Sequence, residues 1–258
     1  MSKDFTVHYE VSEHIAEITL DRPKVNAFSV AFLEEILNAF RRAAAVDSVR
    51  AVILRSAMDD IFCAGLDLDI ILGKSGLDVR KFLQKLYPDL WDVQTKMGKP
   101  TIAAVNGAAR GGGMTLAISC DMILAADTAT FGYPEIDIGV LPAIHFAHLH
   151  RIVGRYRAFD LLFTGRTFSA EEASTLGLVS RVVARKDLHA EARILAETFA
   201  SKSPTAMRIG RAAFMRASDT DYTRSVANAV EDFCNIAVTP DAQEGLTAFL
   251  EKRKPQWK

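Results

Sequence analysis

Three consecutive glycines, Gly111–Gly113, stand between two apolar segments of this chain. The apolar run Thr101–Val105 precedes them, and the helix-like stretch Met114–Ser119 follows them. Glycine permits a positive φ and a close approach of the backbone to another molecule. A glycine turn that leads into a helix also points unpaired backbone N–H groups at one place. Linkers are polar on both sides, whereas this segment is apolar on both sides. The triplet therefore predicts a binding site for an anion or a developing oxyanion.

Length, composition and charge are those of an ordinary globular protein. The 258 residues are 49% hydrophobic and 24% charged, which allows one or two domains with a large core. The 31 basic and 32 acidic residues give a net charge of −1, so the charge does not indicate a nucleic acid or a membrane surface as partner. No signal-peptide pattern opens the chain, and no apolar run approaches the ~20 residues of a membrane span. Three widely spaced cysteines argue against a disulfide framework and a zinc ribbon, so we expect a cytoplasmic protein.

Apolar periodicity predicts an α/β architecture in the first part of the chain. Two β-branched runs, 5–11 and 14–20, predict a hairpin. Ser29 precedes apolar residues at helical spacing and is predicted to cap that helix, and another helix is predicted over 79–93. Runs typical of buried strands follow at 51–54, 101–105 and 122–125. Because strands alternate with helices, mainly parallel pairing is favoured.

The last part of the chain is predicted to be helical. Ser169 and Glu172 have the spacing of a capping box, and that helix is expected to stop at Gly177. Ser203-Pro204 and Thr239-Pro240 each look like a cap followed by proline at the first helical position. We therefore divide the chain into an α/β core, 1–200, and a helical C-terminal region, 201–258.

A second turn of small residues follows the predicted strand at 51–54. The segment Phe62–Asp67 places Ala64 and Gly65 where a strand gives way to a helix. Two such turns after two strands can each direct one N–H group at the same oxygen. A pair of fixed donors is what the oxyanion of a thioester or ester requires. Taken alone the turn is a weak signal, because Ala-Gly turns are common.

Glu135 stands in an otherwise apolar segment, Phe131–Pro142. Between Pro134 and Ile136 a carboxylate would be partly desolvated, which raises its pKa toward the range useful to a general base. Asp137 could raise that pKa further by like-charge repulsion. The alternative is a solvated surface glutamate, and composition alone favours that alternative.

The order of these segments resembles the crotonase superfamily, the enoyl-CoA hydratases and isomerases. The resemblance runs from about Phe5 to Lys254 and rests on 62–67, 103–113, 120–121, 131–136, 162–170 and 244–254. It implies a crotonase-like spiral of ββα units with an α-helical C-terminal trimerisation region. It also implies an acyl-CoA substrate, no metal and no separate cofactor, and a homotrimer or dimer of trimers.

The resemblance also implies roles for individual residues. The backbone N–H groups of Leu66 and Gly112 would bind the thioester oxygen, and Glu135 would be the catalytic carboxylate. Phe249 and Lys252 would reach the CoA of a neighbouring subunit. The full set implied to lie along the substrate is Lys24, Val25, Ala64, Leu66, Asp67, Leu68, Asp69, Gly112, Thr115, Pro134, His145, Phe249 and Lys252.

One departure from the family pattern bears on the reaction. The two-carboxylate hydratases of the family have a glutamate two residues after the glycine triplet, where this chain has Thr115. A threonine hydroxyl is not a base at neutral pH. Moving a double bond needs one base, whereas adding water across it uses two carboxylates in those hydratases. A Δ3,Δ2-enoyl-CoA isomerase with Glu135 as its single base is therefore the first interpretation.

Other functions remain open at this stage. A hydratase, a hydratase-lyase or an acyl-CoA hydrolase would use Glu135 with His145 or a bound water. A non-catalytic CoA-binding member of the family is the remaining alternative, suggested by the missing carboxylate.

A second departure follows Pro142, where the family commonly has a glycine-rich stretch. This chain has Ala143–Phe146 there and is one residue shorter, so an altered acyl pocket is expected. His145 could act as a second acid or base, but a packed or surface histidine is favoured.

Three further features are interpreted as structural. His145, His148 and His150 match no standard zinc spacing. Cys63 is more plausible as a small buried residue than as a nucleophile. Tyr87 and Trp91, four residues apart, are expected to form a packing stripe.

Overall fold

The computed structural model describes residues 6–218 and 222–256. Its strands form a six-stranded sheet in the order β1-β2-β3-β5-β7-β10 and a four-stranded sheet in the order β4-β6-β8-β9. The strands are β1 Val7–Ser12, β2 Ile15–Leu20, β3 Ala51–Ser56, β4 Ile61–Cys63, β5 Thr101–Val105, β6 Ala108–Arg110, β7 Met122–Ala126, β8 Thr130–Gly132, β9 Thr167–Ser169 and β10 Arg181–Val183.

Helices follow most strand pairs and make up the C-terminal region. Short 3₁₀ turns occupy Leu68–Ile70, Pro134–Ile138 and Arg185–Asp187, and a π turn, Lys85–Asp89, joins α2 to α3. The α-helices are α1 Val30–Ala45, α2 Gly76–Gln84, α3 Leu90–Lys96, α4 Gly112–Ile118, α5 Ala143–Val153, α6 Arg155–Thr164, α7 Ala170–Thr175, α8 Leu188–Ala200, α9 Pro204–Ser218, α10 Tyr222–Ala237 and α11 Pro240–Leu250.

The chain alternates between the two sheets in repeated units. In β3-β4, β5-β6 and β7-β8, the first strand joins the large sheet and the second joins the small one. β4 pairs in parallel with β6, and β6 pairs in parallel with β8. Parallel neighbours end at the same edge of a sheet. The segments that follow β4, β6 and β8 are therefore brought together, and these segments contain the two small-residue turns and Glu135.

The core lies around the central strands of the large sheet. All five residues of β5 are buried, as are most residues of β3 and β7. The apolar runs predicted at 51–54, 101–105 and 122–125 are thus strands, because a strand covered on both faces is apolar throughout rather than alternating. The predicted α/β architecture with a helical C-terminal region is confirmed.

Side-chain caps fix the starts of several predicted helices. Phe32 N–H donates to Ser29 Oγ at 3.2 Å, and Ala242 N–H donates to Thr239 Oγ1 at 3.2 Å. Glu172 N–H donates to Ser169 Oγ at 3.1 Å. The predicted capping box is nevertheless wrong in its second half, because the Glu172 carboxylate is held by Arg166 at 2.6 and 3.1 Å.

Other predicted boundaries differ by small, explicable amounts. The hairpin turn lies at Glu13-His14, one residue later than predicted, and both residues adopt positive φ. Phe5 falls outside the described residues. The helix predicted over 79–93 begins at Gly76 and continues to Lys96, with Pro88 accommodated in the π turn. The three-residue strands were not predicted, since so short a segment shows no period.

The C-terminal helices pack against the core near the turn that carries Glu135. α10 contacts α5 and α2, and α11 contacts the turn Pro134–Ile138 that carries Glu135. The division at residue 200 stays a prediction. Within residues 6–218 and 222–256, every helix is too short or too polar to span a bilayer.

Candidate active site

The turns after β4 and β6 approach each other closely. Gly65 has φ +96°, and a β-carbon there would lie 2.9 Å from the Arg110 carbonyl oxygen and 3.2 Å from Gly112 N. Only glycine adopts this conformation and tolerates this approach. The main chain at 65–66 is therefore in contact with the main chain at 111–112, as a pair of converging N–H donors requires.

The Leu66 amide is left out of the local backbone pairing. Phe28 N–H donates to the Gly65 carbonyl at 2.7 Å, and the Phe28 carbonyl accepts from Asp67 N–H at 3.0 Å. In such a parallel bridge the residue between the two bonds, here Leu66, directs its own N–H away from the partner strand. Gly112 is the first residue of α4, so its N–H has no acceptor within the helix. Both N–H groups can therefore serve a ligand.

Glu135 lies against the glycine triplet. It is carried by the 3₁₀ turn Pro134–Ile138 that follows β8. Gly111 has φ +49°, and a β-carbon there would lie 2.7 Å from Glu135 Oε1. The first glycine of the triplet thus makes room for the carboxylate beside the Gly112 amide.

Burial tunes the acidity of this carboxyl group. Glu135 Oε2 is buried and has no hydrogen-bond partner among the described residues. Burial raises the pKa of Glu135 to about 7. A hydrogen bond from its own backbone N–H lowers the pKa by a smaller amount. Asp137 is exposed, and the shift of the Glu135 pKa comes from burial rather than from Asp137. A carboxyl group with this pKa can both accept and donate a proton near neutral pH.

A cavity of about 480 Å³ contains these groups. Leu66, Gly112 and Glu135 all line it. Of the other residues that the sequence predicted, it is also lined by Val25, Ala64, Asp67, Leu68, Pro134 and Phe249. We call this space the first cavity.

Five predicted site residues lie outside the wall of the first cavity. Lys24, Asp69 and Lys252 are exposed at the surface. Thr115 lies on the wall of a second cavity, and His145 is fully buried and lines neither cavity. Thr115 is three residues beyond Gly112, so the two lie on one face of α4 but border different spaces.

Sequence reasoning missed several residues of the first cavity. Tyr87 was assigned to a packing stripe, whereas it lines both cavities. Phe233 and Arg253 come from the C-terminal region and also line the first cavity. An apolar residue at helical spacing has the same pattern whether it faces a core or a cavity, so no sequence signal distinguished Phe233.

The second cavity has a volume of about 600 Å³ and a largely apolar wall. It extends along α4 from Thr115 to Ile118 and Ser119, the same face of the helix that begins at Gly112. Tyr87 is shared with the first cavity. Its other apolar lining residues include Leu86, Leu90, Trp91, Ile144, Met207 and Phe214.

Cys63 and the histidines have the structural surroundings that were expected. Burial raises the pKa of Cys63 to about 12, and its Sγ lies 3.1 Å from the Asn26 carbonyl, so it is a packed thiol. His150 is exposed, and its Nδ1 lies 3.0 Å from the Phe146 carbonyl. Among the described residues, no three His, Cys, Asp or Glu side chains are grouped as metal ligands.

The fold, the paired amides and the buried glutamate define a class of protein. The chain belongs to the enoyl-CoA hydratase/isomerase family, whose model matches residues 10–258. The predicted crotonase resemblance is confirmed, and an acyl-CoA substrate is consistent with it.

Individual relatives support this placement over the whole chain. "Probable enoyl-CoA hydratase echA8" of Mycobacterium leprae is 36% identical over 254 residues, which cover 98% of this chain and 97% of the relative. "Crotonyl-CoA hydratase" of Syntrophomonas wolfei is 36% identical over 247 residues, 95% of each chain. The crystal structure of enoyl-CoA hydratase from Bacillus anthracis matches with a TM-score of 0.79 and 34% identity, covering 98% of this chain and 99% of that one.

Proposed function

We propose that this chain is an enoyl-CoA isomerase that moves a double bond from C3=C4 to C2=C3 of an acyl-CoA thioester. The observation that carries the proposal is one buried carboxyl group, Glu135, in the same cavity as the Leu66 and Gly112 amides. Thr115 occupies the position of the second family carboxylate, so no second carboxylate is present there.

The proposed reaction uses Glu135 first as a base and then as an acid. The thioester oxygen accepts hydrogen bonds from Leu66 N–H and Gly112 N–H. The Glu135 carboxylate removes a proton from C2, and the electron pair of that C–H bond delocalises as a dienolate whose negative charge rests on the thioester oxygen. The paired amides stabilise that charge. Protonated Glu135 then gives the proton to C4, and the double bond forms between C2 and C3.

The pKa of about 7 suits this double role. A carboxyl group with an ordinary pKa would hold the abstracted proton weakly and would be a poor base toward carbon. A group that titrates near the working pH has comparable ability to accept and to return a proton.

Hydration of a 2-enoyl-CoA is the second candidate, and the hydratase names of the relatives favour it. Water addition would require Glu135 to activate the water, with the Thr115 hydroxyl standing at the sequence position of the missing carboxylate. A neutral hydroxyl can orient a water molecule but cannot deprotonate it.

Substrate binding and assembly are proposed on the same basis. The first-cavity residues Val25, Ala64, Asp67, Leu68 and Phe249 would lie along the CoA moiety. CoA enters as part of the substrate, with no separate cofactor in the proposed step. A homotrimer or dimer of trimers follows from the family resemblance and stays a prediction.

The second cavity offers room for the acyl group. A thioester held at Gly112 N–H would send its acyl chain along the α4 face that carries Thr115 and Ile118. That face leads past Tyr87 into an apolar space of about 600 Å³. We therefore propose an acyl chain longer than four carbons.

The test compares the two reactions on the same preparation. A 3-enoyl-CoA is supplied and the appearance of the conjugated 2-enoyl thioester is followed by its absorbance. The 2-enoyl-CoA of the same chain length is supplied separately, and the loss of that absorbance reports hydration. Isomerisation is expected to exceed hydration by at least about tenfold in kcat/KM, because one carboxylate suffices for it. Faster hydration would replace the first candidate by the second.

A further inference from the structure

Two buried histidines and a threonine form a polar chain behind the proposed active site. His145 is fully buried, and its Nε2 lies 3.3 Å from Thr115 Oγ1. Its Nδ1 lies 3.1 Å from His148 Nε2, and its ring packs on Tyr133 at 4.4 Å between centroids. Buried polar groups that satisfy one another fix the orientation of each member. The imidazole of His145 is therefore held in place on three sides.

Thr115 joins this ring to the main chain at the start of α4. Its Oγ1 is the atom that lies 3.3 Å from His145 Nε2, and its N–H donates to the Gly111 carbonyl at 3.1 Å. The imidazole therefore holds the residue whose N–H holds this carbonyl.

The Gly111 carbonyl belongs to the same peptide unit as the Gly112 amide. With φ +49° and ψ −113° at Gly111, this unit lies between two glycines and has no β-carbon to oppose its rotation. Rotation of the peptide plane would turn Gly112 N–H away from the cavity. A hydrogen bond to the carbonyl oxygen opposes that rotation, and it also polarises the N–H group at the other end of the unit.

We propose that His145, oriented by His148, is a positioning residue that holds Thr115 and, through the Thr115 N–H, the Gly111–Gly112 peptide, and so aims the Gly112 amide at the thioester oxygen. This inference rests on the proposed function of that amide. It gives a role to the histidine that stands where the sequence departs from the glycine-rich family pattern.

A role as general acid or base does not fit these surroundings. Burial, with the adjacent His148, lowers the pKa of His145 well below its usual value. Burial lowers the pKa of His148 to about 3, with a smaller contribution from His150. Both rings are therefore neutral near pH 7, and a neutral imidazole supplies a fixed hydrogen-bonding group rather than a proton to exchange.

The experiment measures the carbonyl of a bound ligand as well as turnover. The probe is butyryl-CoA labelled with ¹³C at the thioester carbonyl, a saturated thioester without a double bond to move. Infrared difference spectra record the lowering of its carbonyl stretching frequency on binding. The variants are His145→Leu, which removes the polar partner of the Thr115 hydroxyl, and His145→Gln, which retains a hydrogen-bonding group there.

The expected result is specific to positioning. His145→Leu should reduce kcat by about 10- to 100-fold and change KM little. This loss does not exceed the loss expected when an oxyanion donor is removed completely. The frequency shift of the bound carbonyl should shrink in His145→Leu and recover in His145→Gln. His148→Gln should give a smaller effect of the same kind. The pH dependence of kcat should keep its limb near pH 7 in every variant, because that limb belongs to Glu135.

Several outcomes would overturn the inference. An unchanged carbonyl shift and kcat in a folded His145→Leu protein would make His145 an ordinary core residue. Loss of a pH limb in His145→Gln would make it an acid or base instead. If the wild-type protein lowers the carbonyl frequency but turns over no enoyl-CoA, the proposed function fails while the positioning role stands. If His145→Leu does not fold, His145→Gln and His148→Gln still report on the bound carbonyl.

Discussion

Glu135 and the His145–His148 pair are titratable groups buried within one region of the molecule, yet burial has opposite consequences for them. Desolvation penalises whichever form is charged, so it raises the pKa of the carboxyl group to about 7 and lowers that of His148 to about 3. The pKa of Glu135 lies near neutral pH, and the pKa of His148 lies far below it. The same physical effect thus leaves one group able to exchange a proton and fixes the other as a neutral hydrogen-bonding residue.

The largest expected effect comes from removing the exchanging group. Glu135→Gln keeps the shape of the side chain but cannot accept a proton, so kcat should fall by about 10²- to 10⁴-fold. Steady-state kinetics on a 3-enoyl-CoA measures this. Glu171→Gln, an exposed glutamate of α7, is the matched control and should retain wild-type kcat. Substantial activity in Glu135→Gln would show that another group is the base.

The next effect comes from displacing the carboxylate without removing it. In Gly111→Ala the new β-carbon would lie 2.7 Å from Glu135 Oε1, and alanine would be held at φ +49°. We expect a loss of about 100-fold in kcat and about 1–3 kcal/mol of stability from the strained backbone. Kinetics and urea unfolding measure the two effects.

Gly76→Ala provides the control for that substitution. Its β-carbon would meet only Val238 Cγ1, at an ordinary 3.5 Å, and Gly76 has no positive φ. Near wild-type kcat is expected there. Equal damage from both substitutions would mean that the close approach of Gly111 to Glu135 has no special importance.

The opposite pKa shifts predict opposite contributions to stability as the pH falls. Between pH about 6.5 and 3 the unfolded chain binds a proton at His148 that the folded chain does not, so acidification destabilises the fold, by up to about 5 kcal/mol. Between pH about 7 and 4.5 the folded chain protonates Glu135 while the unfolded chain does not. Acidification across that range therefore stabilises the folded protein relative to the unfolded chain, by up to about 3 kcal/mol.

Two variants separate these contributions. Urea unfolding at pH 7 and pH 5 should show that His148→Gln loses less stability than the wild type on acidification. Glu135→Gln should lose more stability than the wild type, because it lacks the carboxyl group whose protonation stabilises the fold at low pH. Identical pH dependence in all three proteins would mean that neither group is shifted as its burial requires.

Much of this arrangement was accessible from the sequence. The glycine triplet, the Phe62–Asp67 turn and Glu135 are short local patterns, and the structure brings all three to the wall of the first cavity, while their catalytic roles stay predictions. The buried strands were also predictable, because an all-apolar run of five residues has few alternatives. The order of the motifs along the chain supplied the family.

The rest depends on contacts between distant segments. The three-residue strands β4, β6 and β8 carry no periodic signal, although they bring the two turns and Glu135 together. Thr115 was predicted beside the substrate from its family position, but its side chain is turned toward His145. The interaction of His145 with Thr115 spans 30 residues, and no spacing rule predicts such a pair.

The smallest expected effect tests the two cavities rather than the buried carboxyl group and histidines. Met207 of α9 is half-buried and lines only the second cavity. In Met207→Trp the larger ring would occupy space that we assign to the acyl chain, while Leu66, Gly112 and Glu135 remain untouched. KM for a ten-carbon 3-enoyl-CoA should rise about tenfold, which corresponds to about 1.4 kcal/mol of lost binding. The value for a short-chain 3-enoyl-CoA should not change, and Met207→Leu should behave as the wild type with both substrates. If Met207→Trp affects both substrates equally, or neither, the acyl chain does not enter the second cavity, and the first cavity alone sets the substrate preference.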